Sequence, residues 1–551
     1  GYFTSSSFIF IVARSSEATA TLLDRPETRV DLAGLVFVRL DFDAVASAAS
    51  SLSRIMINIE DVRIFEGKQP GSVIYHVGDG YYYTGNKKRG VNLYLKCIRY
   101  ESHNCLGRAV IRKRQGRRPA VFERLSDHRN HDADIHYADE MLLRRNILRR
   151  CKDLECTPYQ AIVSDERRRF IMEVRSRVTV TKLRVAMRNA RMSSFPQPAP
   201  RSLQELTALL QNPRYEVLTA TLDGEDNLYA GSVTDENGDH HILFASRRQL
   251  QLLTKVIWLH GDGTLKVVPA MDGISQLFTI VTTWTHHIVA LAWALMSSKT
   301  QVAYEAVLTL VKNQLGQNVT RKIVMTDFER PQQAAWESVF PNCDLRGCLF
   351  HLVRAYVVEA LRLGLRRDLQ IPEVRRIFEM YCALPLLPVD DIREGYLVVL
   401  QQSRNEGQAV FRICRRFSAY VLRYWVMDQD RLRWMSVHGS VHRTNNASES
   451  HNRTLKDRVT VHPNIYIFIS KLLQVEHDTV TDVESLRRGE VPVGRARKTS
   501  AIRNDRALRR LEEALINPPG PRREAILNFL EAARHRLVNI INDALMQLRP
   551  H

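Results

Sequence analysis

The chain has 551 residues, with 79 Lys and Arg against 60 Asp and Glu, for a formal charge of +19. At roughly 100–200 residues per domain this predicts three or four modules, and 44% apolar with 25% charged residues argues against wholesale disorder. Eight Cys are too sparse for a disulfide scaffold, and the positive excess asks for a polyanionic partner, nucleic acid ahead of anionic membrane.

Residues 1–65 are rich in Ser, Ala and Thr and carry no chemical motif. They are expected to be a poorly ordered leader, or upstream sequence translated in error. The chain opens on Gly1 rather than Met, as a fragment or partial gene model would. Its apolar patch at 8–12 is too short for a signal peptide. Residues 71–131 hold 13 Lys and Arg against 4 Asp and Glu, a net of +9, almost half of the chain's excess. Their texture is short β: strands are predicted at 72–77, 80–83, 91–97 and 106–111, separated by Gly-containing turns. From 136 to 191 the pattern turns helical and very basic. FPQPAPRS at 195–202 breaks it as a linker.

A helix is predicted at 203–210, then strand-like runs over 215–244. KVIWL reads as a strand and HGDGTLK as the turn after it. The apolar stretch 277–296 is interrupted by Thr285, His286 and His287, so it reads as two buried strands rather than a membrane span of ~20 residues. Helical periodicity covers 303–315, KIVMTD is a short strand ending in acid, and a short helix covers 332–339. Residues 352–440 are helical and amphipathic. Residues 471–551 look helical, basic and exposed, broken at Pro518, Pro519 and Pro521.

Asp262 follows one apolar strand and Asp327 ends another. Buried strands that end in Asp set carboxylates side by side at one sheet edge, where α/β proteins bind ligands. Close carboxylates repel and favour a divalent cation such as Mg²⁺ or Mn²⁺. Two such ions activate water and stabilise the leaving oxygen in phosphodiester cleavage. Glu449, in TNNASESHNR, is the candidate third acid, with Glu329 and Glu337 as rivals. Plainer readings stand beside these. Asp after a strand is often a turn or N-cap residue, DG is a turn signal, and Asn446-x-x-Glu449 resembles a capping box.

The ordered runs HGDGTLKVVP, QLFTIVTTW, KTQVAYEAVLTLV, MTDFERPQQAAWESVFP and RGCLFHLVRA resemble the transposase domain of Mutator-like elements (MULE), and HRTNNASESHNR resembles that family's third acidic block. The resemblance covers about half the chain, 206–475. It implies an RNase H-like α/β core interrupted by a helical insertion at about 352–440, followed by a basic helical tail at 476–551. It assigns Asp262, Asp327 and Glu449 to the acidic triad holding Mg²⁺ or Mn²⁺. It also places the family's Cys-x-x-His motif on Cys348 and His351, for which a structural role, metal binding or DNA contact all remain open. The implied activity is DNA transposition in the nucleus, by phosphodiester cleavage and strand transfer between element ends and target DNA, in multimers.

Cys97-x₇-Cys105 with His128-x₂-His131 offers two thiols and two imidazoles, a tetrahedral set for Zn²⁺. A small β module benefits from such a staple. The plain alternative is two buried Cys and two solvated His. The stretch GDGYYYTGNKKRGVNLYLKC…NCLGRAVIRK…DHRNH resembles a FLYWCH-type zinc finger, placed at 66–132 ahead of a basic helical linker at 133–205. It departs from that family at Leu95, where Trp is usual, and in its His spacing, so His136 competes with His131. The run IRKRQGRR (111–118) could meet phosphates, whereas Tyr81, Tyr82, Tyr83 and Tyr94 read as core. Cys151-x₄-Cys156 lacks a His partner pattern and is assigned no metal. Two other readings compete with the transposase: a domesticated, catalytically silent zinc-finger DNA-binding protein, and an RNA-binding scaffold.

Overall fold

The computed structural model describes residues 56–67, 71–113, 119–154, 156–284, 287–315, 321–459, 462–490 and 499–548, with the backbone of a two-stranded ladder at Val30–Asp31 and Leu35–Val36. The leader predicted at 1–65 otherwise lies outside the described residues up to 55, as do 114–118 of the basic run. The chain divides into two units, Gly1–Asn146 with Glu166–Thr179 and Ile147–Asp165 with Val180–His551.

The first unit is built on a seven-stranded antiparallel sheet. Its strands are β1 (Met56–Asn58), β2 (Arg63–Glu66), β3 (Val73–His76), β4 (Tyr82–Arg89), β5 (Asn92–Cys97), β6 (Arg108–Arg112) and β7 (Val121–Ser126), in the order β1-β7-β6-β5-β4-β3-β2. The period of two sends Tyr83, Leu95, Ala109 and Phe122 to one buried face and Ile74 and Tyr82 to the other. Among the described residues this sheet also takes in Met56–Asn58 and Arg63–Glu66, beginning ahead of the stretch expected at 66–132. β1 and β2 are short and largely exposed, so no alternation marks them in the sequence.

Four helices follow, α1 (Tyr137–Cys151), α2 (Tyr159–Arg167), α3 (Met172–Arg177) and α4 (Val180–Met192), as the basic helical pattern predicts.

In the second unit α5 (Leu203–Leu210) forms as expected, and a 3-10 helix (Pro213–Leu218) follows where the strand-like texture was expected to begin. Its sheet then assembles from β8 (Tyr229–Thr234), β9 (His240–Phe244), β10 (Trp258–Thr264), β11 (Gln276–Trp284), β12 (His287–Met296), β13 (Ile323–Thr326) and β14 (Asp344–Gly347). The order is β8-β9-β12-β11-β10-β13-β14; β10, β13 and β14 run parallel and the other neighbours antiparallel. Helices α6 (Arg247–Lys255), α7 (Gln301–Leu315) and α8 (Arg330–Val339) join the core on one face. The other face packs against α5 and two later helices.

HGDGT is not a turn. It continues β10, with Asp262 opposite Thr279 on β11. The long apolar β11 supplies a ladder partner for every residue from His260 to Thr264, and that pairing overrides the local turn preference of Asp-Gly.

The insertion is helical, as expected: α9 (Leu349–Arg362), α10 (Pro372–Ala383), α11 (Val389–Asn405), α12 (Gln408–Tyr420), a π-helical turn (Val421–Val426) and α13 (Gln429–Met435). After it come α14 (Asn446–Arg458), α15 (Ile465–Arg487), α16 (Thr499–Ile516), α17 (Arg522–Arg534) and α18 (Val538–Gln547). The last three are not an exposed tail. Leu508, Leu515, Ile526, Leu530 and Ile541 are buried in the same core as Tyr381 and Phe417 of the insertion. Their apolar stripes were hidden among many Arg residues. Among the described residues no helix is long and apolar enough to cross a membrane.

Candidate active site and candidate metal centre

β10 and β13 are parallel neighbours with Gly261 opposite Thr326. One residue further along each strand come Asp262 and Asp327, so the sheet register itself sets the two acids at one edge. Glycine is required after Asp262, because a Cβ on Gly263 would come 2.1 Å from Oε1 of the buried Gln276. Burial, then the charge of Asp327, pushes the Asp262 carboxyl up to about 7.

α14 delivers the third acid. Ala447, His451 and Leu455, four residues apart, form its buried face. Trp293 of β12 donates its Nε1 to His451 Nε2 at 3.0 Å, which anchors the helix to the sheet. Glu449 is thereby turned toward the acids, with Oε1 4.0 Å from His351 Nε2. Asn452, one turn on, donates Nδ2 to Asp262 Oδ2 at 2.7 Å. The expected capping box is absent. The N-cap is Asn445, which makes no side-chain cap bond. Its Nδ2 instead donates to both Gly261 O and Asp327 Oδ1, each at 3.2 Å.

Cys348 and His351 belong to the same place. Cys348 is buried and its Sγ accepts from the Asn445 backbone N–H at 3.2 Å. His351 Nδ1 stands 2.9 Å from Asp327 Oδ1, but the contact is not aligned as a hydrogen bond. Burial opposes a charge on His351, yet Asp327 and Cys348 outweigh it and raise its pKa to about 11. Ligand atoms of Asp327, Cys348 and His351 lie within 4.8 Å of one another. Asp262 and Glu449 flank this cluster. The rivals are engaged elsewhere. Glu329 accepts from Tyr304 Oη at 3.2 Å, and Glu337 accepts from Arg433 at 2.7 Å and Trp434 Nε1 at 3.0 Å.

Asn445 and Asn452 escaped the sequence reading. The i, i+3 spacing from Glu449 to Asn452 puts both on one helix face and was the available signal.

The first unit gathers Cys97, Cys105, His128 and His131 with ligand atoms within 4.8 Å of one another. Cys97 Sγ lies 3.3 Å from His131 Nε2, and Cys105 Sγ 3.4 Å from His128 Nδ1. The outer ring nitrogens are held by Tyr83 Oη at 2.8 Å from His128 Nε2 and by Asp132 O at 2.9 Å from His131 Nδ1. That leaves one nitrogen of each ring facing the thiols. The thiols also accept backbone N–H bonds, Arg99 to Cys97 at 3.3 Å and Gly107 to Cys105 at 3.4 Å. Burial, with Arg124 and His131 adding to it, depresses His128 to about 4, keeping the imidazole neutral and able to ligate. A Cβ on Gly107 would sit 2.7 Å from the His128 ring, so this glycine admits the imidazole. His136 is outside the cluster and starts the helical run after the sheet, its N–H on Asp134 Oδ1 at 3.2 Å. Tyr82 and Tyr83 are core, as expected, and Tyr81, partly buried against the same core, also stacks on His128 with centroids 4.0 Å apart. Cys151 and Cys156 are buried and join no such cluster among the described residues.

Residues 260–355 match the family model described as the MULE transposase domain. That span runs from within β10 into the first turns of α9 and contains Asp262, Asp327, Cys348 and His351. No curated protein matches the chain.

Proposed function

We propose that the chain is a transposase that binds DNA and cleaves it with a divalent cation, Asp262, Asp327 and Glu449 being the acids. The observation that carries this reading is the register that brings Asp262 and Asp327 to one sheet edge, with α14 gripping both through Asn452 and Asn445. The strand order supports an RNase H-like core: taking β10 as first, β12-β11-β10-β13-β14 reads 3-2-1-4-5, with 1, 4 and 5 parallel.

The donor set fits a hard cation. Two crowded carboxylates, one pushed up to about 7, would be relieved by a shared positive charge. Mg²⁺ or Mn²⁺, when bound, supplies charge neutralisation and an activated water. Asp262 and Asp327 would hold it, with Glu449 as the third ligand. Asn452 and Asn445 fix the two aspartates, so positioning is settled before DNA arrives. Water adds to the phosphodiester phosphorus as the 3′-oxygen leaves. The freed 3′-hydroxyl is then the nucleophile for strand transfer into target DNA. His351, bridging Asp327 and Glu449, is a positioning residue here.

The first unit is proposed as a zinc finger of the FLYWCH type, with Cys97, Cys105, His128 and His131 as ligands. Two thiols and two imidazoles whose outer nitrogens are already satisfied fit Zn²⁺. The function implies a nuclear location, and multimers follow from the family reading.

The test is nicking of a terminal-inverted-repeat DNA with Mn²⁺. Wild type should nick and Asp327→Asn should not. Equal behaviour of the two would sink the catalytic reading and leave the silent DNA-binding protein.

A further inference from the structure

The insertion carries a basic groove that the acid site does not account for. It opens between α9, α12 and the π-helical turn, with a volume of about 640 Å³. Arg362, Arg415, Arg416 and Arg423 line it. Glu359, the acid among its lining residues, is taken by Arg362 at 2.6 Å. Arg415, Arg416 and Arg423 are exposed. Arg416 shares the field of Glu359, and among the described residues none of Arg415, Arg416 and Arg423 is in an ion pair with a carboxylate, so the groove keeps a net positive charge that favours a polyanion.

The groove also offers a stacking surface. Tyr420 and Tyr424 lie nearly parallel, ring centroids 5.5 Å apart at 18°. Tyr420 is fixed by a hydrogen bond from Trp425 Nε1 at 3.0 Å. Tyr424 is 45% exposed, and the Arg431 guanidinium lies 3.6 Å from its ring centroid. Cations beside an exposed aromatic, here Tyr424 backed by the half-buried Tyr420, are what single-stranded nucleic acid uses, phosphate on the one and base on the other. Duplex DNA would present phosphates but keep its base faces stacked within the helix.

Two links tie the groove to the acids. Trp425 meets Phe328, the residue after Asp327, edge-on at 4.8 Å. Along α9, Arg354, Val358 and Arg362 form an exposed row at four-residue spacing. Arg354 lines the opening beside His351 and Glu449, and Arg362 lines the groove. Eight residues of helix span ~12 Å, against ~3.4 Å per phosphate on one strand. The row therefore covers a few nucleotides.

We propose that this groove binds single-stranded DNA next to the phosphate held at the acids, with Arg415, Arg416 and Arg423 on phosphates and Tyr424 under a base. The inference takes the strand to be DNA from the acid-site reading; the groove itself needs no catalysis.

The experiment uses the full chain without added divalent metal. Fluorescence anisotropy compares a blunt duplex with the same duplex carrying a single-stranded tail of about eight nucleotides. The triple variant Arg415→Ala, Arg416→Ala, Arg423→Ala should weaken tailed DNA about tenfold or more. It should also flatten the salt dependence by about two in the log–log slope. Tyr424→Ala should weaken it about tenfold and Tyr424→Phe should not, while blunt duplex affinity stays unchanged. Tailed-DNA affinity within twofold of wild type in the triple variant overturns the proposal. So does an equal loss on blunt duplex, or a loss confined to the triple variant with Tyr424→Ala unaffected. The two readings separate because binding is read without divalent metal: wild type that fails to nick, while the triple variant still loses tailed-DNA affinity, sinks the catalytic reading alone. All four substituted side chains are exposed, and unchanged thermal melting verifies the fold.

Discussion

Asn452 donates its amide to Asp262 while sitting one turn beyond Glu449 on the same helix. The third acid and the restraint on the first acid therefore arrive together. α14 cannot shift without disturbing both, which makes the geometry of the acid site a property of one helix's seat on the sheet.

Asn452→Ala should lower the apparent Mn²⁺ affinity of DNA nicking by roughly 10–100-fold, the range seen when partners of metal ligands are removed. Asn452→Asp should do worse, because it sets a further negative charge beside a buried carboxyl. A Mn²⁺ titration of nicking rate measures both. Wild-type metal dependence in Asn452→Ala would show that the contact is incidental.

Gly347→Ala tests the seat of Phe328. A Cβ there would lie 2.1 Å from the Phe328 ring, whose backbone continues directly from Asp327. Overpacking of this kind costs about 1–3 kcal/mol. Denaturant unfolding should register that loss, and nicking should fall further than stability because Asp327 is dragged with the ring. An unchanged midpoint would mean the ring rotates away freely.

For the first unit, metal analysis of the full chain should find one zinc. His131→Ala and Cys97→Ser should lose it, with an earlier thermal transition, whereas His136→Ala should retain it. Retention in His131→Ala would reassign the fourth ligand.

Acid sensitivity should come in part from His241. Its Nδ1 accepts the Ser297 N–H at 3.3 Å and its Nε2 lies 3.2 Å from Asp235 Oδ2, so the buried ring is neutral with the proton on Nε2. Burial lowers its pKa below 6.5, only partly offset by Asp235. The stabilisation is therefore complete above about pH 6.5 and is lost as the pH falls below it. Urea midpoints at about pH 7.5 and pH 5.5 should show the loss, and His241→Leu should be weaker at the higher pH with a flatter acid limb. Parallel curves for the two proteins would remove His241 as the cause.

Strands 277–296, the helix at 303–315, the KIVMT strand and the helical insertion were legible because each is long or strongly apolar, so that burial dominates. Asp262 and Asp327 stood out as single carboxylates after apolar runs. What was hidden depends on partners distant in sequence. The continuation of β10 through Asp262 exists only because β11 pairs with it, and Asn445 abandons its cap because Asp327 lies across from it. β1 and β2 are too short and exposed to alternate, and the apolar stripes of α16–α18 are diluted by Arg.

α14 begins more than a hundred residues after Asp327, and the whole insertion intervenes. A ribosome making this protein therefore finishes both aspartate strands long before it makes Glu449, Asn445 or Asn452. Until that helix emerges and docks on Trp293, the growing chain holds two acids without Asn445 and Asn452 to restrain them. Any product stopped ahead of Asn445 would keep the sheet strands and, on the proposed reading, lack both the third acid and the two amides that hold the other acids.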